Sequence, residues 1–428
     1  MNAAPLVVVE VRVWGKRVGA VAADPTYASY AFEYDPAWAR RGIQLAPLTM
    51  PTPGPGIHTF PSLDREAYKG LPGLLADALP DDFGNQLIDA WMASHGVAKQ
   101  DVTTLDRLAY MGKRGMGAIE FRPARGSARE SKKPLAMKSL VEEARRAIHA
   151  DLSDDEAAQA ALANIIRVGT SAGGARAKAV IAWHPQTNEI RSGQFDVDPG
   201  WEHWLLKFDG VGKDLELGSS QDYGRIEYAY YLMATHAGIV MSPCRLLQEN
   251  GRRHFMTKRF DREGNDKVHV QTLCALQHLN YKQRGTHAYE QLFMVATQLG
   301  LAPEALTQLF ARMTFNVVAK NHDDHTKNHA FMLREGGAWE PTPAYDVTFA
   351  YNPSGEWTQQ HLMSINGKFD AITKEDLLNV AARFSIPNAE KAISRVCEAV
   401  REWSGFAAEA GVQDAEIARI GQLHIARL

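Results

Sequence analysis

The hydrophobic period changes along this chain of 428 residues, and that change limits what it can fold into. Residues 6–14 are valine-rich and alternate, the pattern of a half-buried strand. Residues 17–21 can pair with them, and 29–34 continue the strand signal. Far downstream the period becomes helical. Leu306, Leu309, Phe310, Met313 and Val317 fall on one face, and Ile393, Val396, Cys397, Val400 and Trp403 repeat that logic. A β-rich first half and a mostly helical second half, with no internal repeat, predict an α+β fold with separate lobes.

Between these ends the chain is punctuated. Prolines 47, 51, 53 and 55 cross a loop, and residues 82–94 follow as a helix with Gly96 just past its end. Residues 116–121 read as another strand. Residues 123–137 are polar, basic and proline-flanked, which suits a linker. Ser153 and Glu156 have capping-box spacing and should open a helix toward Arg167. Three glycines then interrupt residues 169–178, and strand-like runs follow at 179–183 and 203–208.

Composition narrows the class. Hydrophobic residues are 45% and charged residues 23%, the range of a globular protein. Lys plus Arg is 47 against 50 Asp plus Glu, a net charge of −3, so a global positive field for nucleic acid is absent. Cys244, Cys274 and Cys397 are odd in number and far apart, neither a disulfide framework nor a CxxC site, which fits a reducing cytoplasm. Glu10 and Arg12 break any signal-peptide core, and the apolar run 228–244 is only 17 residues long, too short to span a membrane.

The densest polar cluster, Asn321-His-Asp-Asp-His-Thr-Lys-Asn328, lies just past the first apolar stripe. Three readings fit it. It can be a solvated loop. It can be a metal phosphohydrolase site built on His322, Asp323 and His325, although the spacing is not HExxH. Or Asp323 and Asn328, five positions apart, can serve phosphoryl transfer: a carboxylate to accept the attacking hydroxyl proton and an amide oxygen to hold a metal. The third reading demands more, a strand and a second aspartate downstream. Residues 329–333 look like a strand, and Asp346 stands 18 positions after Asn328. Upstream, Lys207 ends an apolar strand and Glu227 opens a helical stretch 20 residues later. The loop 169–178 is neither Walker A nor GxGxxG, but amides around Gly173 and Gly174 can cradle phosphate, with Lys178 adding charge. Taken singly, Lys207, Glu227, Asp346 and the glycine loop each have an ordinary surface or turn explanation. Their order along the chain is that of a kinase.

With these residues in view, the sequence resembles the HipA-type serine/threonine kinases, the toxin halves of bacterial toxin–antitoxin pairs. The resemblance is carried by TSAGGARAK, MTKRFDR, NHDDHTKN and PAYD, and by VWGKRVG, FEYDPAWA and LADALPDDFGNQLI near the start. It implies a bilobal protein-kinase-like fold with a small β-rich N-terminal module: residues 1–125 the module, 138–257 the kinase N-lobe, 258–428 the helical C-lobe. It makes Asp323 the catalytic base, and Asn328 and Asp346 the Mg2+ ligands. ATP would be held by Gly173, Gly174, Ala175, Arg176, Ala177, Lys178 and Lys207, by the hinge Lys258, Arg259 and Phe260, and by His325, Lys327, Asn328 and Asp346. Ser171 would be phosphorylated by the kinase itself, expelling the loop. The resemblance further implies a cytoplasmic protein, an aminoacyl-tRNA synthetase such as glutamyl-tRNA synthetase as substrate, halted translation and persistence. A HipB-like helix-turn-helix antitoxin would be the partner, through which alone DNA is reached. Two rivals remain: a non-catalytic kinase-fold regulator acting through an antitoxin–DNA complex, and the His/Asp metal phosphohydrolase.

Overall fold

The computed structural model describes residues 6–27, 29–80, 82–125, 178–209, 222–249, 251–425 and 427–428. The linker after residue 125, the helix from Ser153, Ser171 and residues Gly173, Gly174, Ala175, Arg176 and Ala177 lie outside them.

The alternating valines build the first sheet. In β1 (Val8–Val13), Val9, Val11 and Val13 are fully buried while Glu10 and Arg12 face outward. β1 turns into β2 (Lys16–Ala23) through two residues, Trp14 and Gly15, both at positive φ (50° and 72°). That is the primed turn whose twist suits a two-residue hairpin. With β3 (Tyr30–Tyr34), β4 (Ile57–His58) and β5 (Ile119–Arg122), they form an antiparallel sheet ordered β4-β3-β2-β1-β5. Helix α1 (Asp82–Ser94) is where the sequence places it, and Gly96 sits at φ 81° just beyond. Helix α2 (Thr104–Met111) starts from a capping box of Thr103 and Asp106. β5 begins three residues later than the expected strand at 116. Gly117 stands at φ 74° and donates its N–H to Asp261 at 2.7 Å, which draws this segment off the sheet.

The second sheet comprises β6 (Lys178–Trp183), β7 (Ile190–Ser192), β8 (Glu202–Lys207), β9 (Cys244–Glu249) and β10 (Arg252–Lys258), ordered β7-β6-β8-β10-β9 and antiparallel throughout. Helix α3 (Tyr223–His236) packs against β9 and β10. Valines of the first sheet share one apolar core with Ile181, Trp204, Leu206 and Met256 of the second, so the N-terminal module and the N-lobe sheet are packed as one body.

The helical half has its own core. Helix α4 (Tyr289–Gln298) and α5 (Pro303–Val318) bury Phe293, Phe310, Met313 and Val317; α5 opens on a proline, whose missing N–H has no helical partner to lose. α6 (Lys374–Arg383), α7 (Ala389–Arg401), α8 (Trp403–Ala410) and α9 (Asp414–Leu423) complete it. The stripe of Ile393, Val396, Cys397 and Val400 is buried on α7 as the spacing predicts. Trp403 is buried too, but it opens α8, because the chain leaves the helix at Glu402. Short strands interleave with these helices: the hairpin β11 (Arg262–Glu263) with β12 (Asp266–Lys267), then β13 (His269–Thr272), β14 (His287–Ala288), β15 (Ala330–Leu333), β16 (Trp339–Pro341) and β17 (Met363–Ser364). All three cysteines are buried free thiols. Among the described residues no helix is long and apolar enough to cross a membrane.

Candidate active site

The site forms where the second sheet meets the helical half. β8 delivers Lys207 at its last position, and α3 presents Glu227 one turn from its start. Lys207 Nζ lies 2.5 Å from Glu227 Oε1 and also bonds Asp346 Oδ1. Residues 20 and 139 positions apart are thus brought onto one ammonium. Burial alone would lower the Lys207 ammonium, but Asp346 and Glu227 overcome it and hold it above the ordinary lysine value. Burial likewise acts to raise Asp346, and Lys207 and then Lys178 pull it far below the usual carboxylate range. Lys178 is the first residue of β6, buried, and directly opposite Lys207 across the ladder. Asp346 occupies the left-handed region at φ 51°.

The polar loop follows α5. Lys320, at φ 56°, reverses the chain, and the Asn321 N–H returns to Asn316 O at 2.9 Å. Thr326–Asn328 then make a single 3-10 turn. Within it the Asn328 side-chain N–H donates to the Asp323 carbonyl at 2.7 Å, which leaves the amide oxygen turned the other way. The Asp323 carboxylate is 47% exposed, with His325 Nε2 3.8 Å away. Tyr345 donates its hydroxyl to Lys327 O at 2.6 Å, fastening the PAYD segment to the loop. A cavity beneath is lined by Arg312, Asn316, Asn321, Asn328, Tyr345 and Asp346.

Asp324 faces the opposite way from Asp323 and is buried. It accepts from the Tyr289 hydroxyl at 2.8 Å, the Leu362 N–H at 2.8 Å and His361 Nδ1 at 2.7 Å. Burial would raise its carboxyl, but His361 and these bonds hold it below the usual value. Nothing in the local sequence signals these partners, which lie 35 to 38 positions away.

Of the residues expected to form a hinge, Phe260 has its ring centroid 5.8 Å from that of Tyr345. Lys258 pairs with Glu202 at 2.6 Å. The Arg259 side chain is sealed in a cluster with Asp261, and the backbone N–H groups of Lys258 and Arg259 donate to Pro243 O and His203 O. Lys327 holds its ammonium 4.5 Å over the Tyr281 ring, which also contacts His325 at 5.6 Å.

The metal-hydrolase arrangement is not assembled. His322 is buried, with Nδ1 at Thr358 O (3.1 Å) and its ring 4.2 Å from that of His361. Among the described residues no three His, Cys, Asp or Glu side chains converge as metal ligands would.

The family model of the HipA-like C-terminal domain matches residues 170–404, and that of the HipA N-terminal domain matches 9–122. No curated protein matches. Among solved structures, a chain of the Shewanella oneidensis MR-1 toxin–antitoxin complex of HipA, HipB and operator DNA is similar with TM-score 0.68 and 19% identity, over 98% of this chain and 96% of that one. The Helicobacter pylori proinflammatory kinase CtkA matches 59% of this chain and 94% of its own at 13% identity, and its TM-score of 0.35 is too low to weigh. The fold is therefore α+β and HipA-like, with a small β-rich N-terminal module. With one family model covering more than half of the chain and a second covering its N-terminal module, the chain belongs to the HipA family.

Proposed function

We propose that this chain is an ATP- and Mg2+-dependent serine/threonine protein kinase, the toxin of a HipA/HipB-type toxin–antitoxin system. The observation that carries the reading is the convergence of Lys207, Glu227 and Asp346 on one ammonium, beside a loop in which Asn328 is tied to exposed Asp323. A non-catalytic regulator has no need of that complete set.

The donor chemistry suits the proposed ligands. The Asn328 amide oxygen and the Asp346 carboxylate are hard oxygen donors, the kind magnesium takes alongside nucleotide phosphates. When bound, Mg2+ neutralises charge on the transferring phosphoryl group. The chain's own residues do the rest. Lys207, oriented by Glu227, holds the phosphates. Asp323, on the open side of the loop, accepts the proton of the attacking serine hydroxyl as its oxygen bonds the γ-phosphorus. ADP leaves as the β–γ bridge breaks. Lys178 stands beside Asp346 to add charge at the phosphates. Ser171 is the proposed site of self-phosphorylation. The substrate is proposed to be an aminoacyl-tRNA synthetase, and the partner a HipB-like antitoxin, since the similar Shewanella oneidensis chain was solved with HipB and operator DNA. With a net charge of −3, DNA is reached through that partner.

Incubating the purified chain with labelled ATP and Mg2+ tests the reading. The wild type should incorporate phosphate, and Asp323→Ala should lower the rate by about 10²–10⁴, the usual worth of a general base, with an unchanged melting temperature. Wild-type incorporation by the variant would overturn it.

A further inference from the structure

The LADALPDD stretch of the N-terminal module has no role in the scheme above, yet its Asp77 reaches toward the polar loop. Asp77 follows a one-turn helix, Gly73–Ala76. Its Oδ2 accepts the Thr272 N–H at 2.7 Å and its Oδ1 accepts the Thr272 hydroxyl at 2.8 Å. Thr272 in turn caps the short helix Leu273–Gln277, its hydroxyl oxygen accepting the Ala275 N–H at 3.2 Å. That helix and the residues after it hold the far end of the loop. The Leu273 N–H donates to His329 O at 2.7 Å, and the Thr326 hydroxyl donates to Leu279 O at 3.2 Å. The turn carrying Lys327 and Asn328 is thus bracketed by two bonds from a segment that Asp77 fixes at its origin.

Four further observations place the module tightly against this segment. The Gly73 N–H donates to His278 Nε2 at 3.0 Å, and the Tyr68 hydroxyl to Cys274 O at 3.2 Å. A Cβ on Gly73 would stand 2.4 Å from Ala275 O, so only glycine allows the approach. Burial raises the Asp77 carboxyl, and the charge of Lys327 is the largest influence opposing it, which puts the loop lysine within electrostatic reach of the module.

We infer that Asp77 is a positioning residue: through Thr272 and the helix Leu273–Gln277, the N-terminal module sets the Asp323–Asn328 loop in place. A catalytic constellation must be held by supporting bonds as well as by its own side chains. Here the acceptor of a supporting bond lies in a part of the chain 195 positions from its donor. The catalytic consequence rests on the kinase reading; the mechanical one does not.

The test uses the full chain and two readouts. Hydrogen exchange of the backbone over residues 321–333 should be about tenfold faster in Asp77→Ala, a local opening, with α3 and α7 unchanged. Asp77→Asn, whose amide can accept from the Thr272 N–H and donate to its hydroxyl oxygen, should restore protection. Thr272→Val loses the hydroxyl bond to Asp77 and the helix cap but keeps the Thr272 N–H bond, so it should also speed exchange over 321–333. Adding it to Asp77→Ala should bring less than the sum of the two single effects, because both act on one link. In labelled-ATP turnover, Asp77→Ala should lose about tenfold or more in kcat with the ATP KM within about twofold of wild type. Unchanged exchange at 321–333 in both single variants would overturn the inference. So would uniformly faster exchange across the helical half, the mark of a stability effect alone. If the wild type transfers no phosphate, the kinase reading fails and the exchange readout still decides this one.

Discussion

Two charge clusters of three residues each have opposite fates. Arg259, Asp261 and Arg262 are sealed, with side-chain exposures of 1%, 0% and 6%. Lys207, Glu227 and Asp346 have 11%, 3% and 27%. In the sealed cluster the donors are spent on protein: Arg259 grips Asp261 bidentately at 2.9 and 2.7 Å, Arg262 joins at 2.6 Å, and both guanidinium groups reach Gly115 O. Asp261 also accepts the Gly117 N–H, so the cluster clamps the N-terminal module onto the chain just past β10. In the open cluster a single ammonium serves two carboxylates, and Asp346 keeps an accessible edge. The same chemistry gives a bolt in one place and an accessible charged site in the other. Access and the number of protein partners decide which.

The sharpest way to break this contrast is Asp261→Ala. It leaves two guanidinium groups buried without their anion, a loss of about 3–5 kcal/mol for a broken buried pair. Urea unfolding of the full chain should show it, together with increased protease sensitivity around residues 115–117. A change below about 1 kcal/mol would mean that the sealed cluster is not a clamp. Next comes Asp346→Asn. Asparagine tolerates the left-handed backbone at φ 51° and leaves Lys207 paired with Glu227, so the change removes charge at the open edge rather than structure. Phosphate transfer should fall by about 10²–10³, as when one preorganised electrostatic contact is lost, while the urea midpoint moves far less than in Asp261→Ala. Equal losses of stability in both variants would erase the distinction.

The two clusters also differ in how far the sequence reveals them. Lys207 at a strand end, Glu227 in a following helix, and Asp323, Asn328 and Asp346 in kinase order could be read from spacing, and the fold brings Lys207, Glu227 and Asp346 together. Strand β1 and helix α5 could be read from period alone, because a period records which face of one element is buried. Arg259 was legible only as part of a hinge. That its side chain belongs to a clamp depends on Gly115, 144 positions away, and no local pattern carries that pairing. The same blindness applies to Asp77 with Thr272 and to Asp324 with Tyr289 and His361. The expected strand at 116 starts at Ile119 for the same reason: the Gly117 N–H is taken by Asp261, which lies outside the segment's own signal.

The smallest expected effect probes a second, neutral seam of the module. His278 is held by burial at a pKa lowered from 6.5 to about 4, between the rings of Phe60 and Tyr68, with Nε2 accepting the Gly73 N–H. Protonation of the folded state would replace that acceptor with a donor facing a donor. Because the folded pKa is the lower one, the unfolded chain takes up the proton first. The stabilisation is therefore complete above about 6.5 and is lost as pH falls from there toward about 4. One such group contributes a slope of at most about 1.4 kcal/mol per pH unit. His269 and His329, both lowered to about 4 by burial, share its direction, so the informative quantity is a difference between slopes. His278→Gln keeps an acceptor for Gly73 and cannot take up a proton. Unfolding free energy measured from pH 7 to 5 should fall less steeply in this variant than in the wild type. Asp261→Asn should leave the slope in that window unchanged, since Asp261 is held below the carboxylate range by its two arginines and titrates outside it. Parallel curves for His278→Gln and wild type would show that His278 takes up its proton equally in the folded and unfolded chain, so that this seam adds no pH dependence to the module.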